Sequence, residues 1–206
     1  MGELAMFPLQ AVLLPGMALP LHVFEPRYRA LMDHCLAGDR EFGVALIERG
    51  SEVGGGDVRA DAGVVARIVQ AEQAPDGRWG VLAVGTRRVR VERWLDDDPY
   101  PRAEVVDWPD PAPVDPVALA AGYGEQVRQV RRLLALLSEL GQPAQPLAEV
   151  SDDPDVGLWQ LALLAPRGAL DRYRLLATDG PEARLVLLGG LLDELEAEVE
   201  ARLAAG

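Results

Sequence analysis

Residues 7–28, FPLQAVLLPGMALPLHVFEPRY, determine how the first half of this chain folds. Two apolar runs, Met6–Leu14 and Ala18–Phe24, lie on either side of a Pro15-Gly16 turn. Apolar runs bounded by turn residues are typical of strands. The stretch therefore predicts two strands that follow each other closely along the chain.

The same stretch ends in a helix signal. Pro26 favours a helix start, because a proline in the first helical turn loses no hydrogen bond. Gly38 supplies the stop. Between them, apolar residues recur at helical spacing: Tyr28, Leu31, Met32, Cys35 and Leu36. We predict a short helix directly after the second strand.

The rest of the first half consists of short apolar runs separated by turn residues. Pro75-Asp76-Gly77 is a turn signal, and Ser51–Asp57, which includes three consecutive glycines, predicts a loop. Many short strands joined by turns favour a small barrel. The predicted strands are Phe42–Ile47, Ala62–Ala71, Trp79–Val84, Arg87–Trp94 and Tyr100–Trp108.

The composition changes at Pro109. Residues up to Pro116 are mostly Pro and Asp, which is typical of a linker, and beyond them the apolar period becomes helical. Ser151 with two aspartates before Pro154 is a helix-start signal. The predicted helices are an apolar stripe from Tyr123 to Leu137, a helix from Pro154 to Ala165, Ala169–Ala177, and a last helix from Pro181.

Composition excludes several chemistries. The chain has 206 residues with 33 acidic and 20 basic side chains, giving a formal charge of -13, and the sequence contains no Lys. Without Lys there is no phosphate-binding P-loop lysine, no Schiff-base lysine and no Ser-Lys dyad. The acidic surplus disfavours DNA, RNA and anionic lipid as general partners. A single cysteine, no signal-peptide pattern and no apolar run of bilayer length predict a cytoplasmic protein.

Metal and nucleophile sites are limited by the scarcity of His and Cys. His22, His34 and Cys35 are the only imidazole and thiol groups. Cys35 lies on the apolar stripe of the first helix, so we interpret it as a core residue. The triple glycine lacks P-loop context, and the acidic clusters lack EF-hand spacing. We expect no metal, no cofactor and no catalytic residue, although a hydrolase built on Cys35 and His22 is one alternative.

One basic concentration stands out in this acidic chain. Arg87, Arg88, Arg90 and Arg93 share one predicted strand. Alternation places them on two faces, and Asp96–Asp98 lie near enough in sequence to neutralise them. We interpret them as a solvated strand face. Binding of RNA, or of a small molecule, stays a second alternative.

The chain resembles the N-terminal domain of Lon proteases, a domain also found in stand-alone bacterial proteins and in cereblon. The resemblance begins with the opening stretch already quoted and continues over nearly the whole chain. Its other matching segments are Gly63-Val64-Val65-Ala66, Pro75-Asp76-Gly77, Gly85-Thr86-Arg87-Arg88-Val89-Arg90 and Asp152-Asp153-Pro154.

The resemblance implies an α+β fold. Residues 1–110 are expected to form a six-stranded PUA-like pseudo-barrel with one short helix, and residues 111–206 a C-terminal helical bundle. It further implies a stand-alone, non-catalytic module that binds unfolded or exposed apolar polypeptide segments, without the ATPase and protease domains of Lon. The implied partners are polypeptide substrates or a partner protein such as a protease. The apolar stripe of the last helix offers either bundle core or a homodimer contact.

The candidate peptide-binding surface is the bend from strand to helix. It carries apolar, charged and aromatic groups close together, and a junction between a barrel and a bundle favours concave sites. The alternative is that Phe24 and Tyr28 lock the helix onto the barrel while Glu25 pairs with Arg27 or Arg29. The candidate residues are His22, Phe24, Glu25, Arg27 and Tyr28.

Overall fold

A computed structural model describes residues 2–50, 52, 56–165 and 168–205. The chain divides into two compact units, residues 1–109 and 110–206. The first, the β unit, contains six strands and one helix; the second, the helical unit, contains four helices. The predicted α+β fold class is confirmed.

The strands of the β unit form one sheet with an irregular closure. The strand order is β2-β5-β4-β3-β1-β6, and β6 also pairs with β5. That second pairing closes five strands into a ring and leaves β2 outside it, so the sheet is a pseudo-barrel and not a regular barrel. The elements are β1 (Gly2–Leu9), β2 (Ala18–Val23), α1 (Pro26–Ala37), β3 (Glu41–Arg49), β4 (Val58–Gln73), β5 (Trp79–Leu95) and β6 (Arg102–Asp107).

The short helix is confirmed where the sequence predicts it. Pro26 occupies its first turn, and Tyr28, Leu31, Met32 and Cys35 are its buried residues. The Tyr28 ring stacks on the Phe7 ring of β1, with 4.1 Å between the ring centroids. This contact fixes the start of α1 against the sheet and so defines the bend after β2.

Two predicted strand boundaries are wrong. The first strand ends at Leu9, and the apolar residues that follow it, Val12, Leu13 and Leu14, are buried in a loop. The predicted strands Trp79–Val84 and Arg87–Trp94 are one continuous strand, β5. Gly85 lies inside this strand, at a position where any side chain would collide with the carbonyl oxygen of Leu14. The predicted loop Ser51–Asp57 falls largely outside the described residues.

The helical unit packs around leucine-rich stripes. The first of its helices begins at Pro116, earlier than the stripe alone predicts, because the Asp115 carboxylate accepts hydrogen bonds from the backbone N–H groups of Val117 and Ala118. The predicted start at Pro154 is confirmed, with Asp153 as its cap. The helices are α2 (Pro116–Glu139), α3 (Pro154–Leu164), α4 (Ala169–Leu176) and α5 (Pro181–Ala205).

An arginine lies at the centre of the helical unit. Arg184 of α5 is fully buried and donates two hydrogen bonds to the Asp110 carboxylate, at 2.7 and 2.8 Å. Its guanidinium also lies 3.7 Å from the centroid of the Trp159 ring. We call these three residues the Arg184 anchor. They tie the first residue of the unit to α3 and α5.

Candidate functional site

The end of β2 presents its side chains alternately inward and outward. Leu19 and Val23 are buried, whereas His22 is exposed and Phe24 is 57% exposed. Among the Phe, Tyr and Trp side chains that the structure describes, Phe24 is the only exposed one. Phe24 is therefore available to a ligand.

A concave surface lies beside these residues. It has a volume of about 210 Å³ and takes its residues from β1, β2, α1 and the segment after β3. We call it the β2 groove. Its lining residues are Phe7, Leu9, Pro20, Leu21, His22, Val23, Phe24, Glu25, Tyr28 and Glu52.

A second hollow also has Phe24 in its lining. It has a volume of about 270 Å³, and three of its residues, His22, Phe24 and Trp79, carry aromatic rings. The indole N–H of Trp79 is buried and has no hydrogen-bond partner among the described residues. We call it the aromatic hollow; Val23, Ala74, Arg78 and Gly80 complete it. Phe24 thus contributes to the lining of two depressions.

The charged candidate residues hold the bend together. Arg27 Nε lies 3.1 Å from Glu25 Oε2, and Arg27 Nη2 donates to the Glu52 carbonyl oxygen at 2.9 Å. The same guanidinium lies 4.5 Å from the centroid of the Tyr28 ring. Burial raises the pKa of Tyr28 to about 12. Its stacking on Phe7 packs Tyr28 between α1 and β1, whereas Phe24 is exposed.

Several residues that border the site come from distant parts of the sequence. Phe7 and Leu9 lie on β1, and Trp79 lies opposite Val23 in the pairing of β5 with β2. The turn signal at residues 75–77 could have placed Trp79 at the start of a strand. Nothing in the sequence indicates which strand pairs with β2, so this contribution is not predictable from the pattern.

Comparison with known proteins identifies the family. The family model of the ATP-dependent protease La (LON) substrate-binding domain matches residues 3–194. The chain belongs to this family. The part of the chain matched is thus a LON substrate-binding domain, and the family is defined by that domain and not by a catalytic one.

The curated relatives of the chain include Lon proteases. The chain is 35% identical over 106 residues to Lon protease 2 of Herpetosiphon aurantiacus, a match covering 50% of this chain and 13% of that protein. It is 29% identical over 103 residues to a LON peptidase N-terminal domain and RING finger protein of Schizosaccharomyces pombe, covering 44% of this chain and 21% of the relative. The chain thus spans only a small part of the curated relatives it matches.

Two solved structures share the fold. A Lon N-terminal domain protein from Xanthomonas campestris superposes with a TM-score of 0.70 at 32% identity, covering 92% of this chain and 98% of that one. The N-terminal domain of a Mycobacterium avium complex Lon protease gives 0.67 at 19% identity, over 93% and 98% of the two chains. The latter likeness shows the fold alone.

The thiol of this LON domain is poorly placed for nucleophilic chemistry. Cys35 is 1% exposed, and its Sγ donates to the Glu41 carbonyl oxygen at 3.2 Å. Burial raises its pKa to about 12, so the reactive thiolate is disfavoured near neutral pH. Over the ranges that the structure describes, no group of three His, Cys, Asp or Glu side chains could hold a metal ion.

The arginines of β5 are engaged with neighbours in the β unit. Arg87 pairs with Glu41 at 2.7 Å and with Asp107 at 3.0 Å, and Arg93 pairs with Glu104 at 2.6 Å. Both remaining guanidinium groups, of Arg88 and Arg90, lie against the Trp108 ring, 4.3 and 4.0 Å from its centroid. Proximity in sequence suggests Asp96–Asp98 as the acidic partners of Arg87 and Arg93. The structure instead pairs these arginines with Glu41, Asp107 and Glu104. This arrangement does not favour a phosphate-binding patch.

The stripe of the last helix is largely core. Leu188, Leu192, Leu195 and Val199 are buried, and Leu185 is half-buried. The buried residues of this stripe therefore offer no exposed surface to a second copy of the chain. Within the described part of the chain, no helix combines the length and the apolar character needed to cross a membrane.

Proposed function

We propose that this LON domain is a non-catalytic polypeptide-binding module that holds exposed apolar segments of other proteins around Phe24. The observation that carries the proposal is that Phe24 is 57% exposed and lines both the β2 groove and the aromatic hollow. Membership of a substrate-binding family supports a polypeptide ligand. The binding residues proposed are His22, Phe24, Glu25, Arg27 and Tyr28.

The size and chemistry of the two depressions support side chains as their occupants. Volumes of about 210 and 270 Å³ are smaller than the roughly 300–1,000 Å³ typical of pockets for drug-sized ligands. Aromatic residues dominate the energetics of protein interfaces because they bury large areas with few rotatable bonds. Two depressions that share one exposed ring suit neighbouring side chains of an extended segment.

The proposed identity of the partners comes from the relatives and not from the geometry of the site. Because the relatives named above include Lon proteases, the polypeptides in question are substrates of a protease or a protease itself. The proposal assigns the chain no reaction and no cofactor. Its contribution is to bring a polypeptide to a partner.

The test is fluorescence anisotropy of labelled casein peptides with the purified chain. We expect binding, and we expect Phe24→Ala to weaken it at least tenfold, as for a central aromatic contact. The matched control is Val69→Ala, because Val69 is an apolar residue of the same unit with a similar exposure of 54%. Equal affinity of the two variants would contradict a role for Phe24.

Labelled RNA serves as the competing ligand. Binding to RNA alone, with affinity that falls steeply as salt is added, would overturn the proposal in favour of a nucleic-acid binder. Binding to casein peptides without binding to RNA would support it.

A further inference from the structure

The free edge of β2 is the feature that extends the proposed function. In the described part of the chain, β2 pairs with β5 and with no other strand. It also lies outside the closed ring of the pseudo-barrel. An edge strand leaves alternate backbone N–H and C=O groups without partners, and such an edge can accept another strand.

The alternation of hydrogen bonds between β2 and β5 shows which residues of β2 face that edge. Gly85 N–H donates to the Met17 carbonyl oxygen at 2.9 Å, and the register from Ala18 to Val23 continues without a shift. In an antiparallel ladder, positions bonded to the neighbour alternate with positions that face away. Residues of β2 that bond to β5 are therefore Leu19, Leu21 and Val23, and those that face the open edge are Ala18, Pro20 and His22.

Pro20 and His22 differ in what they offer to an added strand. Pro20 has no N–H. Because its backbone faces the open edge, the pairing of β2 with β5 loses no hydrogen bond. Pro20 presents a carbonyl oxygen only. His22 presents both an N–H and a carbonyl oxygen. An added strand can therefore exchange two hydrogen bonds with His22 and donate one to Pro20.

The β2 groove is lined by two of the residues that face this open edge, Pro20 and His22. Phe7 and Leu9 of β1 line it together with β2 residues, although β1 and β2 are not paired. Phe7, Leu9 and Tyr28 form an apolar floor and are each less than a tenth exposed. Side chains of a strand alternate between two faces, so every second side chain of an added segment would lie over this floor.

The charge of the β2 groove indicates which charge the bound segment carries. Two carboxylates line it, those of Glu25 and Glu52, and one cation, Arg27, pairs with Glu25. The chain as a whole carries a formal charge of -13. Acidic segments are repelled by both, and basic residues next to apolar ones are attracted.

We infer that an extended polypeptide segment with apolar and basic residues in alternation adds to the open edge of β2 as a further strand, with its apolar side chains in the β2 groove. The inference rests on the proposed function and specifies the binding mode and the class of segment.

The first test uses peptide probes in which the backbone is altered. The parent is a fluorescein-labelled ten-residue peptide that alternates Leu and Arg; two derivatives carry N-methyl groups on every Leu or on every Arg. Strand addition uses the N–H groups of one alternate set only. We expect methylation of one set to weaken binding at least tenfold and methylation of the other less than about threefold. A peptide alternating Leu and Glu should not bind.

The second test alters the protein. His22→Pro removes the outward N–H, while His22→Ala removes the ring and keeps the N–H. We expect His22→Pro to bind the parent peptide about five- to tenfold more weakly than His22→Ala, as for loss of one hydrogen bond. Circular dichroism checks that both variants fold. Hydrogen exchange on the unaltered chain gives a direct measure, since the His22 amide should exchange more slowly when peptide is bound.

The outcomes separate the inference from the proposed function. If the parent peptide binds but both methylated peptides bind equally well and the His22 amide gains no protection, strand addition is wrong and the peptide-binding role stands. If neither the parent nor casein peptides bind, both are wrong. Binding of the Leu and Glu peptide as tightly as the parent would overturn the class of segment.

Discussion

The Arg184 anchor and the bend after β2 use the same three chemical groups in opposite ways. Each brings an arginine, a carboxylate and an aromatic ring together: Arg184 with Asp110 and Trp159, and Arg27 with Glu25 and Tyr28. In the anchor the arginine has no exposed surface. At the bend the arginine is 18% exposed, and Phe24 beside it is uncovered, whereas the carboxylates of the two clusters, Asp110 and Glu25, are similarly exposed at 17% and 18%.

The difference shows that an Arg–carboxylate–aromatic group does not by itself mark a functional site. Where the guanidinium is sealed from water, its hydrogen bonds hold the structure together and nothing remains for a partner. Where the guanidinium is partly exposed, the same group fixes the bend beside an exposed residue, Phe24. The deciding observation is the exposure of the adjacent residue.

The largest expected effect comes from breaking the anchor. Arg184→Ala leaves the Asp110 carboxylate without its partner and opens a cavity against Trp159. We expect the free energy of unfolding of the helical unit to fall by about 3–5 kcal/mol. Chemical denaturation followed by Trp fluorescence measures it. A loss below about 1 kcal/mol would show that the pair contributes little and that the contrast with the bend is unfounded.

Glu41 gives an intermediate case, because its carboxylate is buried while the arginines that pair with it, Arg67 and Arg87, are exposed. It is 7% exposed and accepts from Arg67 at 2.6 Å and from Arg87 at 2.7 Å. Burial opposes ionisation, but the hydrogen bonds and charges of Arg87 and Arg67 outweigh it, and the pKa of Glu41 is lowered. Because the folded-state pKa lies below the unfolded one, this stabilisation is present above the unfolded pKa of about 4.3 and is lost as pH falls through the folded pKa.

We therefore expect Glu41→Gln to cost about 1.5–3 kcal/mol near pH 7. The difference in free energy of unfolding between the two proteins should shrink as the pH is lowered below about 4. Urea denaturation over a series of pH values measures this. A difference that stays constant down to pH 2 would exclude the ionised carboxylate as its cause.

The smallest effect is expected at the bend. Arg27→Ala removes a partly exposed ion pair and a hydrogen bond to the Glu52 carbonyl oxygen, so we expect a loss of no more than about 1 kcal/mol in free energy of unfolding. Affinity for casein peptides is the sharper measurement, since loss of Arg27 frees Glu25. A loss of stability as large as that of Arg184→Ala would place the bend among the structural clusters.

The sequence predicts the local parts of the candidate site well. The run from His22 to Tyr28 contains its own strand, helix start and apolar spacing, and these signals need no distant information. Tyr28 is buried on α1 as the spacing predicts.

The parts contributed by distant segments are not predictable in this way. That β2 is an edge strand depends on the order of all six strands, which no single run encodes. Arg184 gives no signal at all: it precedes a leucine stripe as surface arginines often do, and its partner Asp110 is 74 residues away. Whether such residues lie in a candidate site or in a buried cluster thus depends on which distant segments the fold brings together.

The Arg184 anchor also has a practical consequence for dividing the chain. Asp110 precedes the first helix of its unit, so a fragment cut at residue 111 or at Pro116 would keep all four helices and lose the counter-ion. Such a fragment would carry a buried positive charge with no carboxylate at that position, and its failure to fold would say nothing about the autonomy of the four helices. A fragment that starts before Asp110 is the fair test of independence.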